Sequence, residues 1–210
     1  MFKKLLILVL VNTSLFLSAQ TAIEKELKIL ETPEQAENYL KTKKSKKNKL
    51  ITFNEEKHNT ILAKELFKLG VGGTKIKDQE FEKTFYKVIK KRKNIYNRVS
   101  YIYLDGSKYS LEDINTLRDK IITKFNNGAS FNFLAKQYSM DEKANKGGDL
   151  GWYLKGEMHT DFENEIANHS LNDIFTIDIP ETNWYYVVLK THDPKKIVEV
   201  DVLKIVETKY

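Results

Sequence analysis

The chain has 210 residues, no cysteine, 41% hydrophobic residues and a formal net charge of +6. The missing cysteine excludes disulfides, thiolate nucleophiles and Cys-based zinc sites, and the apolar content excludes a disordered chain. The charge is local: Lys41–Lys49 holds six lysines and no acid, with a second cluster at Lys90-Lys91-Arg92-Lys93. Neither run interleaves aromatics or carries a groove-reading motif, so nucleic acid is not an expected partner. A weak contact of Lys41–Lys49 with an anionic surface remains open.

At the N-terminus, Lys3 and Lys4 precede an apolar run from Leu5 to Leu17, and Ser18-Ala19 offers small residues for cleavage before Gln20. That run falls short of the ~20 residues that span a bilayer, so residues 1–19 read as a signal peptide rather than a membrane anchor. The protein is therefore expected to be exported, periplasmic or secreted.

Residues 20–93 form a mostly helical N-terminal region. Thr32-Pro33-Glu34 reads as a helix start, and the lysine run ends that helix as an exposed linker. Leu50–Phe53 reads as a short strand. A second helix is expected from Asn54, with Leu62, Leu66 and Leu69 on one face. Gly70, Gly72 and Gly73 follow that helix and read as its C-terminal cap rather than as a phosphate loop. For Phe81–Ile89 the periodicity does not decide between helix and strand.

Val99–Leu104 is a β-branched and aromatic strand closed by Asp105-Gly106. Ser110 with Asp113 opens a helix bearing Ile114, Leu117, Ile121 and Phe125 on one face, ending at Asn127-Gly128. Ser130 caps another, with Phe131, Leu134, Ala135 and Tyr138 along one side. A glycine-containing loop runs from Ser139 to Gly151. Thr160 and Glu163 read as a capping box before a short helix carrying Phe162 and Ile166. Asp173–Ile179 and Trp184–Lys190 read as strands, the second apolar enough to be central in a sheet. Residues 193–210 supply one further strand, Ile197–Val206. The fold class is α+β, a small antiparallel-rich sheet packed on helices.

Conventional catalytic constellations are weak. His58, His159, His169 and His192 show no paired spacing, so no metal is expected, and no cofactor motif is present. No carboxylate pair stands apart from a charged surface, and Ser139 has no nucleophile-elbow context.

A pattern nonetheless runs through Phe131-Asn132-Phe133-Leu134-Ala135, Tyr138-Ser139, Gly147-Gly148-Asp149-Leu150-Gly151-Trp152, Gly156-Glu157-Met158 and Phe162-Glu163. In content and spacing it resembles the parvulin-type peptidyl-prolyl cis/trans isomerase family. The resemblance covers residues 94–192. It implies a parvulin-like fold and an apolar proline pocket formed by Leu150, Met158 and Phe162. It also implies a polar side made by Tyr101, Asp141, Ser139 and Tyr186, with Asp149 bracing the loop. Active members commonly carry a histidine on the first and the last strand, where this chain has Tyr101 and Tyr186. The loop Asp105-Gly106-Ser107-Lys108-Tyr109 holds one lysine, too few for phosphate-specific binding.

Two functions follow from the resemblance. One is isomerisation of X-Pro bonds in unfolded or partly folded exported polypeptides, without a covalent intermediate. The other is a catalytically weak or inactive parvulin-like module that holds such chains.

Overall fold

Five of the described α-helices start from a side-chain cap. In the computed structural model, which describes residues 22–43 and 45–209, helix α1 spans Ala22–Lys28 and α2 spans Pro33–Thr42. Thr32 accepts the Gln35 N–H while the Gln35 side chain reaches back to the Thr32 N–H, the reciprocal cap that satisfies two orphan donors. Strand β1 is Lys49–Asn54, and α3 is Ile61–Lys68. Strands β2 (Thr74–Asp78), β3 (Glu82–Asn97) and β4 (Ser100–Asp105) follow. Then come α4 (Leu111–Asn126), α5 (Phe131–Tyr138), the two-residue strand β5 (Tyr153–Leu154) and α6 (Thr160–Asn168). The chain closes with β6 (Ile174–Ile179), β7 (Trp184–Leu189) and β8 (Lys195–Thr208).

The expected helix from Asn54 begins seven residues late. Thr60 is its cap, and Asn54 ends β1 with its side chain turned inward. Asn54 Oδ1 accepts the N–H groups of Glu56 and Lys57, so this stretch closes a turn instead of a helical one. The undecided stretch Phe81–Ile89 opens β3. The lysine run is more than a linker: it spans the end of α2, a turn and the start of β1. Lys43 pairs with Glu26 at 2.8 Å, and Lys47 pairs with Glu82. The segment read as a signal peptide lies outside the described residues.

The chain forms two compact units. The first comprises the described residues up to Phe53, His58–Lys91 and those from Val200 onward. Its strand order is β1-β8-β3-β2, with β2 antiparallel to β3 through Thr74↔Lys87 to Asp78↔Lys83. Leu27, Leu30 and Ala36 from the helical side pack on Phe85, Ile89, Leu203 and Ile205 from β3 and β8. Each of the large apolar side chains in such a cluster stabilises by about 1.5–3 kcal/mol on burial.

The second unit comprises Asn54–Lys57 and Arg92–Glu199. It holds a three-stranded antiparallel sheet ordered β4-β7-β6, with β7 central as its apolar sequence predicts. Alternation sorts the side chains between two faces. Ile102, Leu104, Tyr185 and Val187 face α4 and α5, meeting Ile114, Ile121, Phe131 and Leu134. Phe175, Ile177, Ile179 and Val188 face the other way, toward Phe162 and Ile166 of α6. The fold is thus α+β, with helices on both faces of a small antiparallel sheet.

Candidate functional site

The face of the sheet that meets α6 also carries the tyrosines. In β4 the odd positions Tyr101 and Tyr103 are half-buried while Ser100, Ile102 and Leu104 are buried on the opposite side. Register places Tyr103 opposite Tyr186 and Tyr101 opposite Val188, so Tyr101 and Tyr186 are diagonal neighbours. Their rings meet edge to face at 5.5 Å, and the Phe162 ring lies 6.2 Å from Tyr101 and 5.2 Å from Tyr186. The three rings form an edge-to-face cluster of the kind aromatic quadrupoles favour.

Against this cluster lies a cavity of about 100 Å³. Leu150, Met158 and Phe162 line it together with Tyr101 and Tyr186, so five residues singled out from sequence share one pocket. His159, Ile179 and Trp184 complete the lining. Trp184 stands two residues before Tyr186 on β7 and so shares its face, a signal that strand alternation alone provides. His159 directly follows Met158, and in the sequence it is weighed only for paired histidine spacing, which does not reveal a pocket position. Its Nε2 is 3.6 Å from Glu181, and its Nδ1 accepts the Asp161 N–H.

Asp141 and Ser139 sit beside the tyrosines rather than in the pocket lining. The Tyr101 hydroxyl donates to Asp141 Oδ2 at 2.6 Å, and Ser139 Oγ donates to Asp141 Oδ1 at 2.9 Å. Ser139 Oγ in turn accepts the Tyr103 N–H at 3.0 Å, and the Met140 N–H donates to the Tyr103 carbonyl. Ser139 therefore ties the segment after α5 to β4, and Asp141 is held by two hydroxyl donors. The Tyr186 hydroxyl has no hydrogen-bond partner among the described residues. Burial pushes the Tyr101 phenol up, reinforced by the hydrogen bond to Asp141 and its charge. Burial likewise raises Tyr186, with Tyr103 and Asp141 adding to it. Both therefore stay protonated through the neutral range.

The loop Gly147–Gly151 is stitched to the start of β4. The Tyr101 N–H donates to the Gly148 carbonyl at 3.0 Å, and the Leu150 N–H to the Val99 carbonyl at 3.1 Å. Gly148 has a φ of 79°, and a Cβ there would sit 2.3 Å from the Tyr101 carbonyl oxygen. Both facts require glycine. Asp149 receives Arg98 Nη2 at 2.6 Å and Nε at 3.1 Å, and also accepts the Gly151 N–H. The Arg98 guanidinium holds the Asp149 carboxyl below the usual carboxylate range. This fork is the brace that places Leu150.

Glu163 braces the other wall. Its carboxylate accepts the Gly156 N–H at 2.8 and 2.9 Å and the Met158 N–H at 3.2 Å. The expected capping box of Thr160 and Glu163 does not form. His159 is the N-cap, Thr160 is the first helical residue, and Glu163 turns outward to the Gly156–Met158 turn. That turn has N–H groups with no strand to pair them, and a carboxylate is the stronger acceptor.

The arrangement offers an apolar slot closed by aromatic edges, a free phenolic donor and a hydroxyl–carboxylate chain at one side. It can hold a small saturated ring and hydrogen-bond a polar group emerging from it. Comparison with known proteins agrees in kind. The family model described as a PPIC-type PPIASE domain matches residues 83–195. The foldase protein PrsA of Halalkalibacterium halodurans is 31% identical over 127 residues, 60% of this chain and 35% of that one. The chaperone SurA of Vibrio cholerae is 33% identical over 111 residues, 51% of this chain and 25% of that one. A crystal structure of the peptidylprolyl isomerase PrsA from Bacillus anthracis superposes with a TM-score of 0.40 and 31% identity, covering 49% of this chain and 44% of that one. The chain spans less than half the length of these relatives.

Proposed function

Because the chain belongs to the PPIC-type peptidyl-prolyl isomerase (parvulin) family, we propose that it isomerises X-Pro bonds in unfolded or partly folded polypeptides. The convergence of Leu150, Met158, Phe162 and the two tyrosines on one small cavity carries this reading. Rotation about an X-Pro bond is slow, tens to hundreds of seconds unaided, and the amide barrier is about 18–20 kcal/mol. The pocket holds the proline ring while the preceding carbonyl swings. Contact with Met158 and Phe162 removes water, which disfavours the charge-separated resonance form that gives the bond its double character. The Tyr186 hydroxyl, protonated and unengaged, donates to the twisted amide, and Tyr101 is fixed beside it by Asp141 and Ser139. No nucleophile or cofactor enters this scheme.

The polypeptides served are placed outside the cytoplasm on the strength of Lys3, Lys4 and the apolar run Leu5–Leu17. The chain is a foldase by this reading, as the names of the relatives PrsA and SurA describe those proteins.

One observation favours a second reading, a weak isomerase that mainly holds unfolded chains. The Tyr101 hydroxyl spends its proton on Asp141, which leaves Tyr186 as the free donor of the tyrosine pair. Exchange spectroscopy on a short X-Pro peptide separates the two. Faster cis/trans exchange with wild type, lost in Met158→Ala and Phe162→Ala, supports the isomerase. Unchanged exchange together with suppressed aggregation of an unfolded client selects the holding module.

A further inference from the structure

Two lysines are almost wholly buried among the described residues, and their surroundings differ. Lys190 donates to the carbonyls of Ile166 at 3.1 Å and His169 at 2.5 Å, closing the C-terminal end of α6. Lys87, on β3 with 4% of its surface exposed, has no hydrogen-bond or ion-pair partner among the described residues. Its Nζ is not among the fully buried unpaired atoms, so the stem is covered while the ammonium opens into the adjoining cavity, where it can meet an anionic group.

Lys87 lines a cavity of about 570 Å³ between α1 and β2. Leu27 supplies apolar wall from the helix, and Val71 and Ile76 from the strand side. Of the two acids there, Glu24 is engaged by Lys83 at 2.9 Å, leaving exposed Glu31 as the internal competitor. Burial lowers the Lys87 ammonium, and the charge of Glu31 acts against that. The bordering strand β2 is last in its sheet, so one edge of its backbone has no strand neighbour among the described residues. Such an edge pairs with extended chains, and alternating side chains then drop into the flanking groove.

We propose that the groove between α1 and β2 binds an extended polypeptide segment that adds along β2 and sets a carboxylate on the Lys87 ammonium. The site shares no residue with the proline pocket, and it stands or falls independently of isomerase activity.

The test is fluorescence anisotropy on the full chain with labelled ten-residue Val/Thr peptides. One carries a central Glu, one a central Gln, and each is made with a free and an amidated C-terminus. A charge-assisted hydrogen bond to a partly desolvated ammonium is worth about a tenfold gain in affinity. The central-Glu or the free-terminus peptide should gain that factor, which identifies the source of the carboxylate, and Lys87→Met should abolish the gain. Lys87→Met should melt at the same or a higher temperature than wild type, and Glu31→Gln should bind the peptide more tightly. Equal affinity for all four peptides, or no peptide binding where laurate binds in a Lys87-dependent way, would overturn the proposal. So would a Lys87→Met chain that melts several degrees lower, because Lys87 would then be paired within the fold.

Discussion

Tyr101 and Tyr186 occupy the same pocket wall and differ in what their hydroxyls do. One is committed to Asp141, and the other has no partner among the described residues. Tyr186→Phe should therefore lower kcat/KM for an X-Pro peptide by about tenfold, the worth of one donor realised in the twisted state. Tyr101→Phe should cost less than about threefold in rate but destabilise the unit by about 1 kcal/mol, since Asp141 loses a donor. Exchange spectroscopy and thermal melts of both variants check this, and equal rate losses would contradict it. Because burial raises both phenols, neither ionisation enters the activity profile below about pH 10. At this scale the sequence was legible where a local pattern marks the residue: Leu150, Met158 and Phe162 each stand in one. Arg98 was not, because its partner Asp149 lies 51 residues away and no local spacing links them.

Among the elements, the Gly156–Met158 turn depends on a helix that follows it. Glu163, in the first turn of α6, holds the backbone N–H groups of Gly156 and Met158. Glu163→Gln keeps an acceptor but loses the charge and one of the two oxygens. It should raise KM for proline peptides several-fold with kcat little changed, and lower stability by about 1 kcal/mol. Steady-state titration with a melting curve checks both. Helix starts at Thr32, Ser110 and Ser130 were readable because each cap is satisfied within three residues. β3 was not readable from its periodicity. Thr84–Ile89 is buried on both faces, so the alternation that marks a half-exposed strand is missing. The start of α3 was misread because Asn54 spends its side chain on a turn and on Glu199, contacts outside any helical register.

Across the whole molecule, acid should be a condition that weakens the second unit. Burial pushes the Glu199 carboxyl up, but hydrogen bonds from Tyr96 and Asn54 and the charge of Arg92 outweigh it, leaving it below the usual range. Tyr96 is pushed up to about 12, by burial first and then by Glu199. Asp149 is lowered by Arg98. For groups lowered by folding, the unfolded chain binds more protons in acid. Their contribution is complete above the ordinary carboxylate range near pH 4 and is lost as pH falls through the folded values. Urea midpoints measured from pH 7 to pH 3 should hold steady and then drop below about pH 4.5. Arg98→Ala should flatten part of that drop while costing about 1–2 kcal/mol at neutral pH.

The core of the first unit joins Leu27 and Leu30 to Leu203 and Ile205, from opposite ends of the described residues. That pairing carries a consequence for biosynthesis. A chain made from its N-terminus presents α1 and α2 long before the last strand exists to cover their apolar faces. The second unit, Arg92–Glu199 with the earlier stretch Asn54–Lys57, is complete in sequence before Val200 is added. The second unit should thus become protease-resistant in released chains truncated just past Glu199. The first should do so only once the closing residues of β8 have emerged, leaving its helices as the segment most in need of protection while the chain is being made.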